Sequence, residues 1–146
     1  MSVESIKSKT MALSGQLAVV NDDLRLIPVM ANCTAPAEIS AEFVASLTAL
    51  DELTTAGRKT LSGKSLVEVP GSNKVELHAD DPVWPNMADG ARQVIGFVLY
   101  KHVTDDSDSP FLGFIDGSQF PMDPGGQTFT GTFAGGVVWT FKTAVQ

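Results

Sequence analysis

Short apolar runs rich in β-branched and aromatic residues recur through the C-terminal two thirds of the chain. Each is cut off by a cluster of Gly, Pro, Asp or Ser. Gln93-Val94-Ile95-Gly96-Phe97-Val98-Leu99-Tyr100 is one run, Pro110-Phe111-Leu112-Gly113-Phe114-Ile115 the next, and Gly136-Val137-Val138-Trp139-Thr140-Phe141 the last. Runs of this length and composition, closely spaced and punctuated by turn chemistry, predict an antiparallel β-sandwich or barrel. The expected fold class is all-β with one short helix.

The 146 residues suit one domain. A domain of that size buries roughly 70% of its unfolded surface and needs neither metals nor disulfides to fold. The lone Cys33 allows no intrachain disulfide, so nothing depends on an oxidising compartment. The first ten residues lack the apolar core of a secretory signal. No stretch approaches the roughly 18 consecutive apolar residues of a membrane span.

Along the chain, residues 1–14 read as an N-terminal arm, either a loosely held terminus, the preferred reading, or a short helix, and residues 15–146 as the β domain. Residues 17–20 and 24–29 read as two strands around the turn Asn21-Asp22-Asp23. Pro28 has no N–H to give a ladder, which points to an edge strand or to the strand ending there. Ile39, Phe43, Leu47 and Leu50 fall at helical spacing, and Pro36 suits a first turn. They predict the single helix over residues 37–50.

Residues 58–69 read as one long strand with a bulge or bend at Gly63, followed by the turn Pro70-Gly71-Ser72-Asn73. Val75 and Leu77 alternate with polar neighbours, as in a half-buried strand. Residues 93–103 form the longest and most central run, and residues 111–115 return antiparallel after an acidic turn. Residues 127–133 and 136–142 read as a closing hairpin around Ala134-Gly135.

The formal charge is −7, from 17 acidic and 10 basic residues. Proteins that bind duplexes gain affinity by neutralising phosphates with Lys and Arg, so this balance argues against a nucleic-acid partner. It favours solubility and repulsion between free copies. From Asp80 to Asp123 there are eight carboxylates against Arg92 and Lys101, and these acids are expected in solvent.

No polar group spells out catalysis. Asp105, Asp106 and Asp108 could offer oxygens to calcium, but the later Glu and flanking helices of an EF-hand are missing. His78, Asp80, Asp81 and His102 could ligate zinc, though no spacing requires it. Asp116-Gly117-Ser118 lacks the frame of a nucleophile elbow. Pro124-Gly125-Gly126 lacks the Lys-Ser/Thr of a phosphate loop. Trp84, Tyr100, Phe120 and Trp139 could form a glycan platform, but aromatics within β runs are more often core. No catalytic, cofactor or metal residue is assigned.

In order, the segments resemble those of small tailed-phage virion proteins of the head decoration, or cement, type. The likeness runs from Leu13 to Phe141. It begins at Leu13-Ser14-Gly15-Gln16-Leu17 and Asn21-Asp22-Asp23-Leu24-Arg25-Leu26, then passes through Glu42-Phe43-Val44-Ala45-Ser46-Leu47 and Gly57-Arg58-Lys59-Thr60-Leu61-Ser62-Gly63-Lys64. It is best at Ala79-Asp80-Asp81-Pro82-Val83-Trp84-Pro85, Phe97-Val98-Leu99-Tyr100-Lys101 and Asp105-Asp106-Ser107-Asp108-Ser109-Pro110, and it ends at Gly113-Phe114-Ile115-Asp116 and the loop 121–126.

The resemblance implies a jelly-roll-like β-sandwich without catalytic residues, bound to the capsid exterior of a virion assembled in the host cytoplasm. Its partners would be the major capsid protein and further copies of itself, as a dimer or trimer, with neither nucleic acid nor membrane. The alternative expectation is a receptor- or glycan-binding module of a phage neck, fibre or tail. The N-terminal ten residues match nothing in the family. They carry Lys7 and Lys9 against Glu4, and apolar Val3, Ile6 and Met11 without an evident core partner. Such a segment can order itself against a partner. Val3, Ile6, Lys7, Lys9 and Met11 are therefore the candidate partner-binding residues.

Overall fold

The longest apolar run forms the strand around which the chain is organised. In the computed structural model, which describes residues 3–142, the elements are β1 (Val3–Glu4), α1 (Ile6–Leu13), β2 (Leu24–Met30), β3 (Lys59–Thr60), β4 (Ser65–Val69), β5 (Lys74–His78), β6 (Val83–Trp84), β7 (Val94–Lys101), β8 (Phe111–Ile115), β9 (Phe129–Thr130) and β10 (Val137–Lys142). The strands form three sheets, of order β1-β8-β7-β2-β3, β10-β5-β4 and β6-β9. Among the described residues every strand pairing is antiparallel. The all-β class with one short helix holds. β2 and β3, β4 and β5, and β7 and β8 pair as direct sequence neighbours.

Strands β2, β7 and β8 are buried on both faces. One face gives Leu24, Leu26, Phe97, Leu99, Leu112 and Ile115 to a core shared with Leu77, Val138 and Trp139 of the three-stranded sheet and with Trp84 of the β6–β9 ribbon. The other gives Ile27, Val29, Val98, Tyr100, Phe111 and Phe114 to a second core, closed by Cys33, Ala35, Val44 and Leu47. Burial pushes the Cys33 thiol above its usual range.

The cover of that second core is not a helix. Residues 37–50 hold only 3₁₀ turns at Ala35–Ala37 and Val44–Ser46, and Ile39 is exposed. The donors of this segment are spent across space. Phe111 N–H bonds the Glu42 carbonyl, Val44 N–H that of Ser109, and Ala45 N–H that of Asp106. The Glu38 carboxylate accepts from the Thr34 hydroxyl at 2.6 Å and from Thr48 N–H at 2.8 Å. Ser46 and Leu47 N–H bond the carbonyls three residues back, of Phe43 and Val44, so they close a 3₁₀ turn rather than the i−4 ladder of an α-helix. Among the described residues the one α-helix is α1, started by Ser5, whose side chain accepts from Ser8 N–H.

Three further expectations are corrected. Residues 17–20 form a turn, with Asn21 and Asp22 N–H both bonded to the Ala18 carbonyl. Residues 58–69 divide into β3 and β4, which lie in different sheets. Gly63 is the corner between them: its φ is +61°, and a Cβ there would lie 2.5 Å from an Asp80 carboxylate oxygen. The closing hairpin is absent, since β9 pairs with β6 and β10 with β5.

Pro28 lies inside β2 rather than at a sheet edge. Its carbonyl accepts from Leu53 N–H. Its nitrogen therefore points the same way, away from β7, where no ladder bond is missed. The turn at Pro70–Ser72 is as expected, with Asn73 left-handed at φ +51°.

Both tryptophans are core residues, 1% exposed at Trp84 and 5% at Trp139. Trp84 stacks on Phe97 at 5.1 Å, and its indole N–H donates to the Gly57 carbonyl at 2.9 Å. Either Trp84→Ala or Trp139→Ala should cost about 3–5 kcal/mol of stability. Denaturant midpoints measure this, and a loss below about 1 kcal/mol would show a ring outside the core.

Candidate interaction surface

The N-terminal arm is fastened to the domain. Val3 and Glu4 pair with Phe114 and Gly113 of β8. The approach is close: a Cβ at position 113 would lie 2.5 Å from the Val3 carbonyl oxygen, so glycine is required there. Ser5 is wholly buried. Its N–H donates to the Leu112 carbonyl at 2.8 Å and its hydroxyl to the Phe111 carbonyl at 2.6 Å. The Ser8 hydroxyl donates back to the Ser5 carbonyl at 2.7 Å, and Ile6 N–H to the Ile39 carbonyl. A loosely held arm is thus replaced by a docked strand and helix.

This docking sorts the five candidate residues. Met11 is 5% exposed and part of the core; Val3 is half-buried against β8. Lys7 is engaged, its ammonium 3.7 Å from Glu42 and 5.6 Å from the centre of the Phe43 ring. Ile6 and Lys9 face outward. The residue that sequence reasoning missed is Leu13, which is 91% exposed. It lies seven positions from Ile6, on the same side of the helix. Beside it, Glu4, Lys9, Ala12, Leu13 and Phe141 line a cleft of about 350 Å³. The spacing of Ile6, Lys9 and Leu13 was legible, but not which helical face the domain would take.

The other candidate groups are dispersed or already bonded. Asp108 Oδ1 accepts from Thr104 and Asp105 N–H, both at 3.0 Å, and Asp105 Oδ1 from Ser107 N–H at 2.8 Å. These acids shape their own turn. His78 Nε2 sits 3.1 Å from Glu76, and Asp81 accepts from Phe133 N–H. His102 lies elsewhere, beside the Tyr100 ring. Among the described residues, no three of His, Cys, Asp and Glu gather where they could hold a metal ion. Trp84 and Tyr100 belong to different cores, so the four aromatics do not assemble into a platform. A cleft of about 280 Å³ is lined in part by Phe97, Phe120, Phe133 and Gln119. The Gln119 amide is committed to Thr130 and Thr132.

The densest polar cluster centres on Arg58. Its guanidinium bonds Asp106 at 2.6 and 2.9 Å and Glu52 at 2.7 and 3.0 Å. It also reaches the Tyr100 hydroxyl at 3.3 Å and lies over the Tyr100 ring. Every donor has an internal partner, so the cluster is a fastening between the loop before β3, strand β7 and the acidic turn. Asp106 departs from the expectation of solvated acids, as does Asp116, whose Oδ1 is buried. The bonds of Asp106 to Arg58 hold its carboxyl below the usual range and hold the Arg58 pKa above its own.

A carboxylate with a depressed folded pKa stabilises the fold above its unfolded pKa, and that stability is lost as pH falls through the folded value. Arg58→Gln should therefore cost about 1–3 kcal/mol at pH 7. The gap to the parent should narrow in acid, as Asp106 is protonated. Urea unfolding at several pH values checks this; a gap independent of pH would refute it. Compared with known proteins, the chain matches no family model, no curated protein and no solved structure.

Proposed function

We propose that the chain is a non-enzymatic virion protein of the head decoration type, binding the outer surface of a tailed-phage capsid and cementing neighbouring coat subunits. The observation that carries the reading is the outer face of α1. Ile6 and Leu13 stand in solvent, 53% and 91% exposed, with Lys9 between them, while Met11 and Ser8 pin the same helix to the domain. A rigidly held apolar pair flanking Lys9, whose ammonium lies 3.9 Å from Glu4, is a surface suited to a partner rather than to bulk water. The family resemblance supplies the kind of partner.

Binding only the assembled shell would stabilise that shell by mass action. Among the described residues no helix is long and apolar enough to cross a membrane. The second reading, a receptor- or glycan-binding module of neck, fibre or tail, draws on the aromatic-walled cleft at Phe97, Phe120 and Phe133.

Two measurements test this. Quantifying the protein in purified virions should give a copy number on the scale of the coat protein; a few copies would indicate a neck or tail component. Ile6→Asp with Leu13→Asp should leave the melting temperature unchanged and weaken binding to undecorated capsids tenfold or more, about 1.4 kcal/mol. Met11→Ala, on the inner face, should instead cost about 2–5 kcal/mol of folding stability. Unchanged capsid binding by the double variant would remove α1 from the interface.

A further inference from the structure

The sheet edges of this protein are covered to very different degrees. β1 and β3, which bound the five-stranded sheet, have two residues each, too short to template another strand. β10 runs beside the N-terminal arm: Glu4 and residues 137–140 line one cleft, and Glu4, Lys9, Ala12, Leu13 and Phe141 another. β4 is the long edge left over. It has five residues and pairs only with β5. It holds no proline, and Gly63 and Pro70 bracket it without interrupting it. Leu66 and Val67, on opposite faces, are 53% and 39% exposed. Proteins ordinarily blunt such an edge with bulges, proline or inward charges.

We infer that β4 pairs antiparallel with β4 of a second copy, about a two-fold axis at Leu66, and joins two three-stranded sheets into one of six strands. The charge pattern selects both occupant and register. Leu66 and Glu68 share one face of β4 by alternation, and Lys64 is the residue that leads into the strand from the Gly63 corner. With the axis at Leu66, Leu66 meets Leu66 of the second copy. Lys64 and Glu68 each face the other's counterpart, so opposite charges lie directly across the ladder twice. Moving the axis to Val67 sets Leu66 against Glu68 and removes both charge pairs. Glu68 is exposed. Lys64 Nζ donates to the Asp22 carbonyl, and an ammonium has two further donors to offer.

Because the same strand serves both copies, the contact is isologous and closes at two, where a heterologous edge would grow a fibre. The charge of −7 on each copy opposes approach, so the dimer is weak and concentration-dependent. It stands whether or not the protein decorates a capsid.

The test uses sedimentation velocity of the full chain over a range of concentrations, with a reversible monomer–dimer equilibrium expected. Glu68→Lys sets like charges across the ladder and should weaken the dimer tenfold or more. Adding Lys64→Glu to it should restore the dimer. Independently, Leu66→Cys should cross-link two copies on mild oxidation, since directly opposite Cα atoms lie about 4.5–5.5 Å apart and a disulfide spans that distance. Val67→Cys should not, because its counterpart is displaced along the strand to about 7–8 Å. The native Cys33 is buried. A monomer at every concentration, or cross-linking through Val67→Cys in preference to Leu66→Cys, would overturn the inference.

Discussion

Burial of β2, β7 and β8 on both faces is the constraint that the rest of the structure answers. A sheet with one wet face can alternate apolar and polar residues; this one cannot. From Phe97 to Tyr100 and from Phe111 to Ile115 every residue is buried, so each face needs its own cover. The three-stranded sheet and the β6–β9 ribbon cover one. An irregular stretch between residues 33 and 47 covers the other. Irregular backbone can serve there only because its polar groups find partners, on the ends of β7 and β8 and on Glu38.

That account explains what was legible in the sequence. The continuous apolar runs at β7 and β8 marked a central antiparallel pair, and the turn residues between them marked its reversal. Periodicity failed where long-range bonds outvoted local pattern. Ile39, Phe43, Leu47 and Leu50 have helical spacing, yet Phe43 bridges to Pro110, and the neighbouring donors reach the β7–β8 turn. In residues 58–69 the error was one of continuity: Gly63 turns the chain out of one sheet and into another. For β9 and β10, adjacency in sequence suggested a hairpin, but the partners were strands formed much earlier. Pairing choices of this kind depend on the assembled layers.

The outer face of α1 was half legible. Mixed basic and apolar residues in the first dozen positions singled out the arm. That it binds its own domain is a matter of Ser5, which looks like a solvent residue and is buried with its hydroxyl and amide bonded to β8. Only after that face is taken does the outward pair, Ile6 and Leu13, become defined. Arg58 shows the same logic in a charged form. Its setting in a glycine-rich, basic stretch gave no hint of three partners from separate segments.

The pairing of β1 with β8 has a consequence for how the protein is made. Val3 leaves the ribosome well before its ladder partner, Phe114. Most of the chain must be translated before the site for the arm exists, and closing so long a loop carries an entropic cost that local contacts do not. β1 and α1 are therefore seated only after β8 is complete. Until then Met11, buried in the folded domain, is unsheltered beside Ile6 and Leu13.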